Sequence, residues 1–357
     1  MNITIFIAHM SLGGAQRVCY NLIKWIQEKT KSNVHLVICS ESTTRDIAFD
    51  LSDISHSYLH GSFFYVISAL RKEIQHVQTD VLLTMGVPSA IYSVPASIGL
   101  GIKHVISERN DPSHFAGSKQ TKVLSRFLIR KADGFVFQTK DAQAYYGGRI
   151  AKHSTIIPNP LFISGDIMDA TKVEREKVVV ATGRLNKQKN HPLLIRAFKR
   201  FHESFPEYRL FIYGEGPERE HDEALIKELN LENCVLLPGA INNVTETIRK
   251  ASLYVLSSDF EGMPNALMEA MAVGLPCIST DCPCGGPREL IRNGENGMLV
   301  PVGDEKALAK AMLYMIENYA EVKAMGGEAV KIRETHSSNR ICQQWYDYFK
   351  KIYNKSL

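Results

Sequence analysis

At 357 residues the chain exceeds what one hydrophobic core ordinarily organises, so two domains or one large α/β unit are expected. Lys and Arg number 42 against 38 Asp and Glu, a net charge of +4 that excludes a general nucleic-acid binder but leaves room for a local basic patch. No apolar run reaches the roughly 18–20 residues of a membrane span, and MNITIFIAHM lacks the basic region and cleavage site of a secretory leader, so a cytoplasmic protein opening on a core strand is expected.

In chain order, Ile3 to Ala8 is a short β-branched run, followed by SLGGAQR and a helical pattern that puts Val18, Leu22, Ile23 and Ile26 on one face. A strand at Val34 to Cys39 and an aromatic helix, FFYVISALRKEIQHV, come next. Strands are then expected at Val81 to Thr84, Val105 to Ser107 and Gly134 to Gln138, with a helix near Lys119 to Lys131 before the last. Alternation of this kind predicts a parallel sheet covered on both faces.

After strand-like Thr155 to Ile157, PNPLFISGDIMDATKVEREK passes from turn residues to charges and marks a boundary. A second series follows: strand VVVATG, helix Leu193 to Phe201, strand Arg209 to Tyr213, helix Glu218 to Leu229, strand Cys234 to Leu237, and a helix ending near Lys250. Strands at Leu253 to Leu256, Cys277 to Thr280 and Met298 to Val300 complete another doubly wound sheet. The expected domains are residues 1–160 and 161–336, with 337–357 a terminal helix. That helix spaces Ile341, Trp345, Tyr348 and Ile352 along one face, which needs a partner; it is expected to cross back onto the first domain, with packing on the second the alternative.

Doubly wound sheets bind ligands at the carboxyl ends of their strands, which selects the loops that follow them. Gly13 and Gly14 in SLGGAQR could offer N–H groups to a phosphate or form a plain tight turn; they make neither a dinucleotide fingerprint nor a Walker loop. In TGRLNKQKNH, Arg184 and Lys189 stand at a strand end and helix start, two cations that suit a diphosphate. Gly214 and Gly216 in YGEGPER would let a ring or sugar lie against backbone, and PGAIN at 238–242 repeats the design; βα-turn geometry accounts for both equally.

The stretch SSDFEGMPNALMEAMAVGLP places Glu261 on a loop and Glu269 inside the following helix, both facing one pocket. Gly262 allows close backbone approach, and Pro264 suits the first helical turn. Taken alone, the pair reads as a general acid and base, a metal site, or an acidic loop before an amphipathic helix. Seven scattered cysteines, with Cys19 and Cys39 in apolar surroundings, read as reduced core thiols. Cys282-Pro283-Cys284 has C-x-C spacing with no second pair nearby, so a turn explains it better than zinc.

GGAQRV, GRLNKQKN, YGEGPER, the Glu261/Glu269 pair and ENGMLVPVGD together resemble the family 4 retaining glycosyltransferases of the GT-B type, across nearly the whole chain. ERNDP and CPCGGPREL are similar to bacterial members that build capsule, O-antigen or lipid-linked oligosaccharides. The resemblance implies an α/β GT-B fold, two Rossmann-like doubly wound domains facing a central cleft. By position it implies that Arg184 and Lys189 bind the donor diphosphate, that Gly13 and Gly14 reach it from the first domain, and that Glu269 holds the ribose hydroxyls. Glu261 would hold the transferred sugar, the backbone from Gly262 through Met263 and Pro264 to Asn265 would orient it, Gly214 and Gly216 would line the donor, and Ile241 would meet the nucleobase.

No cofactor and no metal are implied, because two cations and helix N-termini do the work of a divalent ion, and the chain has no D-x-D motif. A single donor-face carboxylate fits a front-face reaction, while a double displacement would need a nucleophile beneath the anomeric carbon. The family often has Glu where this chain has Gln16, and a His-bearing loop where this chain reads SERNDPSH, so Gln16, Glu108, Arg109, Asn110 and His114 are the acceptor-side candidates.

The expected activity is transfer of a hexose or N-acetylhexosamine from a nucleotide sugar, expected to be a UDP-sugar, to a glycan or polyprenyl-diphosphate-linked glycan. A nucleotide-sugar 2-epimerase and a nonenzymatic nucleotide-sugar-binding protein share the fold and are the alternatives; a dehydrogenase lacks its fingerprint. Between Ser113 and Lys131 lie Lys119, Lys122, Arg126, Arg130 and Lys131 and no acid, with Leu124, Phe127 and Leu128 among them. The segment suits either an anionic membrane surface or a sheet-packed helix with a solvated basic face.

Overall fold

The computed structural model describes residues 1–11, 13–39, 49–115, 117–163 and 173–354. Leu12 of the first glycine turn and 164–172 of the boundary stretch lie outside the described residues. The chain divides into two compact units, Met1–Pro160 with Ser338–Leu357, and Leu161–Ser337.

The first unit is a seven-stranded parallel sheet of β1 (Asn2–Ile7), β2 (Asn33–Ile38), β3 (Ser55–Tyr58), β4 (Val81–Met85), β5 (Lys103–Ser107), β6 (Gly134–Phe137) and β7 (Ser154–Ile156), in the order β3-β2-β1-β4-β5-β6-β7. Its helices are α1 (Gly14–Lys29), α2 (Phe63–His76), α3 (Ala90–Ser97), α4 (Lys119–Leu128), α5 (Lys140–Tyr146) and α6 (Gly148–Lys152). The helix expected to Lys131 ends as α-helix at Leu128 and tightens into a 3₁₀ turn over Ile129–Lys131. β3, SHSY, escapes sequence reading because it is a polar edge strand whose hydroxyls bond the His35 imidazole instead of burying an apolar face. β5 starts two residues before its apolar part because Lys103 and His104 are buried too. Burial pushes His104 down to about 3, so a neutral ring bonds Thr84 at 2.8 Å and Ser97 at 3.2 Å.

The second unit is a six-stranded parallel sheet, β8 (Glu176–Thr182), β9 (Arg209–Tyr213), β10 (Val235–Gly239), β11 (Ala251–Leu256), β12 (Cys277–Thr280) and β13 (Met298–Val300), in the order β10-β9-β8-β11-β12-β13. Its helices are α7 (His191–Ser204), α8 (Arg219–Glu228), α9 (Val244–Ile248), α10 (Asn265–Ala272), α11 (Gly286–Leu290), α12 (Glu305–Glu317), α13 (Tyr319–Ala329) and α14 (Ile332–Thr335). Strand side chains alternate between two cores. Val179, Ala181, Leu253 and Val255 pack with Leu194, Phe198 and Met312, while Val178, Val180, Tyr254 and Leu256 pack with Leu267, Met268 and Met271.

The last helix, α15 (Ser338–Tyr353), belongs to the first unit. It buries Ile341, Trp345, Tyr348, Phe349 and Ile352, each worth about 1.5–3 kcal/mol by area. The Tyr348 hydroxyl accepts from Phe135 N–H at 3.1 Å and lies 3.2 Å from the His153 carbonyl, and Trp25 Nε1 donates to Asn339 Oδ1 at 2.9 Å. Among the described residues no helix is long and apolar enough to cross a membrane.

Candidate active site

In each sheet the strand order reverses once, between β1 and β4 in the first unit and between β8 and β11 in the second. Crevices at such reversals are where doubly wound sheets bind ligands. In the second unit the loops that leave β8 and β11 are laced together. Asn186 Oδ1 accepts from Lys189 N–H at 3.1 Å and so caps the 3₁₀ turn Lys187–Lys189. Asn190, left-handed at φ 45°, caps α7 by accepting from Leu193 N–H at 3.2 Å, and its amide donates to Asp259 Oδ1 at 2.7 Å. The Ser257 hydroxyl donates to the Lys189 carbonyl at 2.9 Å, and Gln188 Nε2 to that of Phe260 at 2.9 Å.

This lacing brings Lys189 and Glu261 together. Lys189 Nζ lies 2.6 Å from Glu261 Oε1, with both side chains nearly buried. Ser258 Oγ donates to the same oxygen at 2.7 Å and Gln188 Nε2 approaches Oε2 at 3.4 Å. Ser258 is itself placed by Thr280, whose hydroxyl donates to its carbonyl at 2.6 Å. A buried ion pair contributes little net stability, but removing one partner strands the other charge at a cost of about 3–5 kcal/mol. Two neutral groups border the pair. Burial, then the Glu261 charge, pushes the Cys282 thiol up to about 12, and burial, then Lys189, pushes His191 down to about 4.

Arg184 is exposed just beyond β8. Glu269 is buried in the second turn of α10. Burial raises the Tyr254 phenol pKa, and the fields of Cys277, Glu269 and Glu261 add to it. Pro264 corrects the expectation of a first-turn proline: it is the N-cap of α10, with ψ 105°, and Asn265 begins the helix. Met263 is packed into the core with Leu267 and Met268, and Ile241 is half-buried in the loop after β10.

Gly214 and Gly216 have a structural reason: a Cβ at either would run into the carbonyl oxygens of Gly183 and Leu185 respectively. The same approach lets Gly183 N–H donate to the Tyr213 carbonyl at 2.9 Å and Leu185 N–H to that of Glu215 at 3.0 Å. The two glycines therefore hold the Arg184 loop against the β9 loop.

In the first unit Gly13 caps α1 in extended conformation, Gly14 begins the helix, and the Gln16 amide folds back over Gly13 to His9 Nδ1 at 3.2 Å. Glu108 is buried, accepts from Tyr146 Oη at 2.9 Å and from Arg109 N–H at 2.9 Å, and has its pKa raised by burial. Arg109 donates to Asn159, whose Oδ1 also accepts from Gln138 at 2.6 Å, and its guanidinium lies 5.7 Å over the Trp345 ring; burial pulls it down to about 10. Asn110 is half-buried, and its N–H approaches Glu108 Oε1 at 3.4 Å. His114 is exposed and bonded to Asp111 at 2.9 Å.

Sequence reading missed Gln188, Asn190, Ser258 and Asp259, although all four stand in the motifs already singled out. Among the described residues no group of three His, Cys, Asp or Glu side chains could hold a metal. Cys282 and Cys284 are buried thiols, the latter left-handed at φ 69° in a turn.

Residues 166–332 match the family of glycosyl transferases group 1. Over 364 residues the chain is 28% identical to the Campylobacter jejuni N-acetylgalactosamine-N,N'-diacetylbacillosaminyl-diphospho-undecaprenol 4-alpha-N-acetylgalactosaminyltransferase, covering 92% of this chain and 96% of that one. A second C. jejuni enzyme, a GalNAc-alpha-(1->4)-GalNAc-alpha-(1->3)-diNAcBac-PP-undecaprenol alpha-1,4-N-acetyl-D-galactosaminyltransferase, is 25% identical and covers 99% of both chains. The fold is shared, at a TM-score of 0.83 and 20% identity, with Anabaena HepE, solved in complex with UDP and glucose, over 98% of this chain and 100% of that one. These matches support a GT-B glycosyltransferase. In that light the laced loops of the second unit lie within the matched segment, whereas the Glu108 network lies outside it.

Proposed function

We propose that the protein is a retaining glycosyltransferase that moves a hexose or N-acetylhexosamine from a UDP-sugar to a glycan or polyprenyl-diphosphate-linked glycan in surface-polysaccharide synthesis. The observation that carries this reading is the nearly buried Lys189–Glu261 pair at the β8/β11 reversal. A lipid-linked acceptor is supported by the names of the two C. jejuni relatives, and a UDP donor by the ligands of the Anabaena structure.

An ammonium has three donors, and the pair with Glu261 uses one, leaving Lys189 able to bind diphosphate oxygen while it holds Glu261. Arg184 adds a forked contact, and together they neutralise charge developing on the leaving UDP. Glu261, fixed by Lys189 and Ser258, accepts from sugar hydroxyls, and Glu269 accepts from the ribose. A carboxylate so engaged supports a front-face course. The anomeric carbon–phosphate oxygen bond breaks, the acceptor oxygen bonds the same face, and its proton passes to the departing β-phosphate. No divalent ion enters this scheme.

Purified protein assayed with a panel of UDP-sugars and lipid-linked acceptors tests the reading. Transfer with retained anomeric configuration, unaffected by EDTA, is expected, and Glu261→Ala and Arg184→Ala should each lower kcat by about 10²–10³. Normal transfer by both variants would overturn the assignment.

A further inference from the structure

Asn190 does more than a helix cap requires. A capping residue ordinarily has extended backbone and offers one side-chain acceptor, which Ser, Thr or Asp supplies as well as Asn. Asn190 is instead left-handed at φ 45°, a conformation that Gly takes freely and Asn tolerates. Its side chain works at both ends: Oδ1 accepts from Leu193 N–H at 3.2 Å, while Nδ2 donates to Asp259 Oδ1 at 2.7 Å. Gly here would lose both bonds, and Asp would keep the cap but turn a carboxylate on a carboxylate. Asn meets the backbone angle, the cap and the bond to Asp259 together, so the bond to Asp259 accounts for the residue type.

That bond holds the backbone on either side of Lys189. Lys189 N–H donates to Asn186 Oδ1 at 3.1 Å and its carbonyl accepts from Ser257 Oγ at 2.9 Å, while the Gln188 carbonyl accepts from Asp259 N–H at 2.8 Å. The stem of Lys189 then runs over Gly183, where a Cβ would stand 3.0 Å from Cε and 3.3 Å from Cδ, and Nζ arrives 2.6 Å from Glu261 Oε1. Lys187, in the same 3₁₀ turn, is exposed to solvent.

We propose that Asp259 is a positioning residue for sugar transfer, which acts through Asn190 to aim the Lys189 ammonium between Glu261 and the donor diphosphate. Its effect on rate rests on the donor reading above; its effect on structure rests on the Lys189–Glu261 contact alone. An ammonium on a flexible four-carbon stem is a point charge, so its worth depends on where the backbone delivers it. A displacement of about 1 Å can cost about 10²-fold in rate. Because charge on the leaving UDP develops in the transition state, the loss falls on kcat more than on the donor KM.

The full chain is assayed with the panel of UDP-sugars and lipid-linked acceptors, and unfolded in urea without nucleotide. Asp259→Ala should lower kcat about 10–100-fold with the donor KM within about threefold of the wild type. Asn190→Asp, which sets two carboxylates against each other, should fall as far. Asn190→Asp/Asp259→Asn restores the bond with donor and acceptor exchanged, and should return kcat to within about threefold of the wild type. In unfolding, Asp259→Ala and Lys189→Met should be non-additive by roughly threefold or more in the unfolding constant. Wild-type kcat in Asp259→Ala overturns the proposal. So does a loss that the exchanged pair fails to recover, which would mark a role in loop stability alone, or strict additivity of the two unfolding effects. A wild-type protein inactive with every UDP-sugar would remove the donor reading, and non-additive unfolding would still uphold the link from Asp259 to Lys189.

Discussion

Glu108 and Glu261 each occupy the loop that follows an inner parallel strand, and the two are buried alike, yet the sheets treat them in opposite ways. Glu261 is matched by a cation, Lys189, from another loop, and by the Ser258 hydroxyl. Among the described residues Glu108 has neutral donors directly on its oxygens, the Tyr146 phenol and N–H groups of its own loop, while the neighbouring Arg109 is turned to Asn159 and Trp345. An ammonium that holds one carboxylate oxygen still has donors for an incoming diphosphate. A carboxylate enclosed by neutral donors and backbone, as Glu108 is, ties its own loop together.

The sharpest way to break that contrast is to remove the cation. Lys189→Met leaves Glu261 nearly buried and uncompensated, and should cost about 3–5 kcal/mol in urea unfolding as well as most of the transfer activity. Lys189→Met/Glu261→Leu should recover most of the stability and none of the activity. If the double variant stays as unstable as the single one, the cost comes from the loop lacing and not from the stranded charge.

A smaller effect is expected on the other side of the comparison. Tyr146→Phe removes a hydrogen bond to a buried carboxylate and should cost about 1–3 kcal/mol, with the donor KM and kcat unchanged. The sign of the pH dependence follows from the raised Glu108 pKa. Stability falls as pH rises from the ordinary carboxylate value through the raised one, and the variant, without the Tyr146 hydrogen bond that offsets part of the burial effect, falls further, so its deficit should be larger at pH 8 than at pH 4. A fall in kcat at unchanged stability would move Glu108 from scaffold to chemistry.

How much of this was written in the chain differs residue by residue. Buried parallel strands announce themselves as apolar runs, and the rule that ligands gather at strand ends singles out Lys189 and Glu261 from position alone. That they touch is invisible, because 72 residues separate them and the lacing runs through Asn186, Asn190 and Ser257, whose side chains read only as turn formers. SERNDPSH marks a loop with chemistry in it, but not that Tyr146 and Asn159, far along the chain, close over Glu108 and Arg109. The α4 segment shows its amphipathic period, and periodicity cannot say which face turns inward; here Ser125 does. β3 has no hydrophobic pattern at all, since an edge strand of Ser and His is held by its neighbour's imidazole.

A third carboxylate sharpens the comparison with the smallest effect. Asp222, in the first turns of α8, is fully buried, and among the described residues neither of its oxygens has a hydrogen-bond partner. It has neither the cation of Glu261 nor the donors of Glu108, and burial raises it to about 6, the exposed His221 ring 3.8 Å away offsetting only part of that effect. Its place near a helix N-terminus is worth some 0.3–1 kcal/mol, less than the roughly 1–3 kcal/mol cost of a buried unsatisfied polar group. Asp222→Leu, beside Leu225 and Ile226, should therefore stabilise the protein by about 1 kcal/mol at pH 7. Folding favours the protonated form, so wild-type stability should fall as pH rises from 3.8 towards about 6, and the variant should lose that slope. A variant that instead binds UDP-sugar more weakly at an unchanged midpoint would show that Asp222 is kept unpaired for a ligand, a third functional carboxylate of the second unit after Glu261 and Glu269.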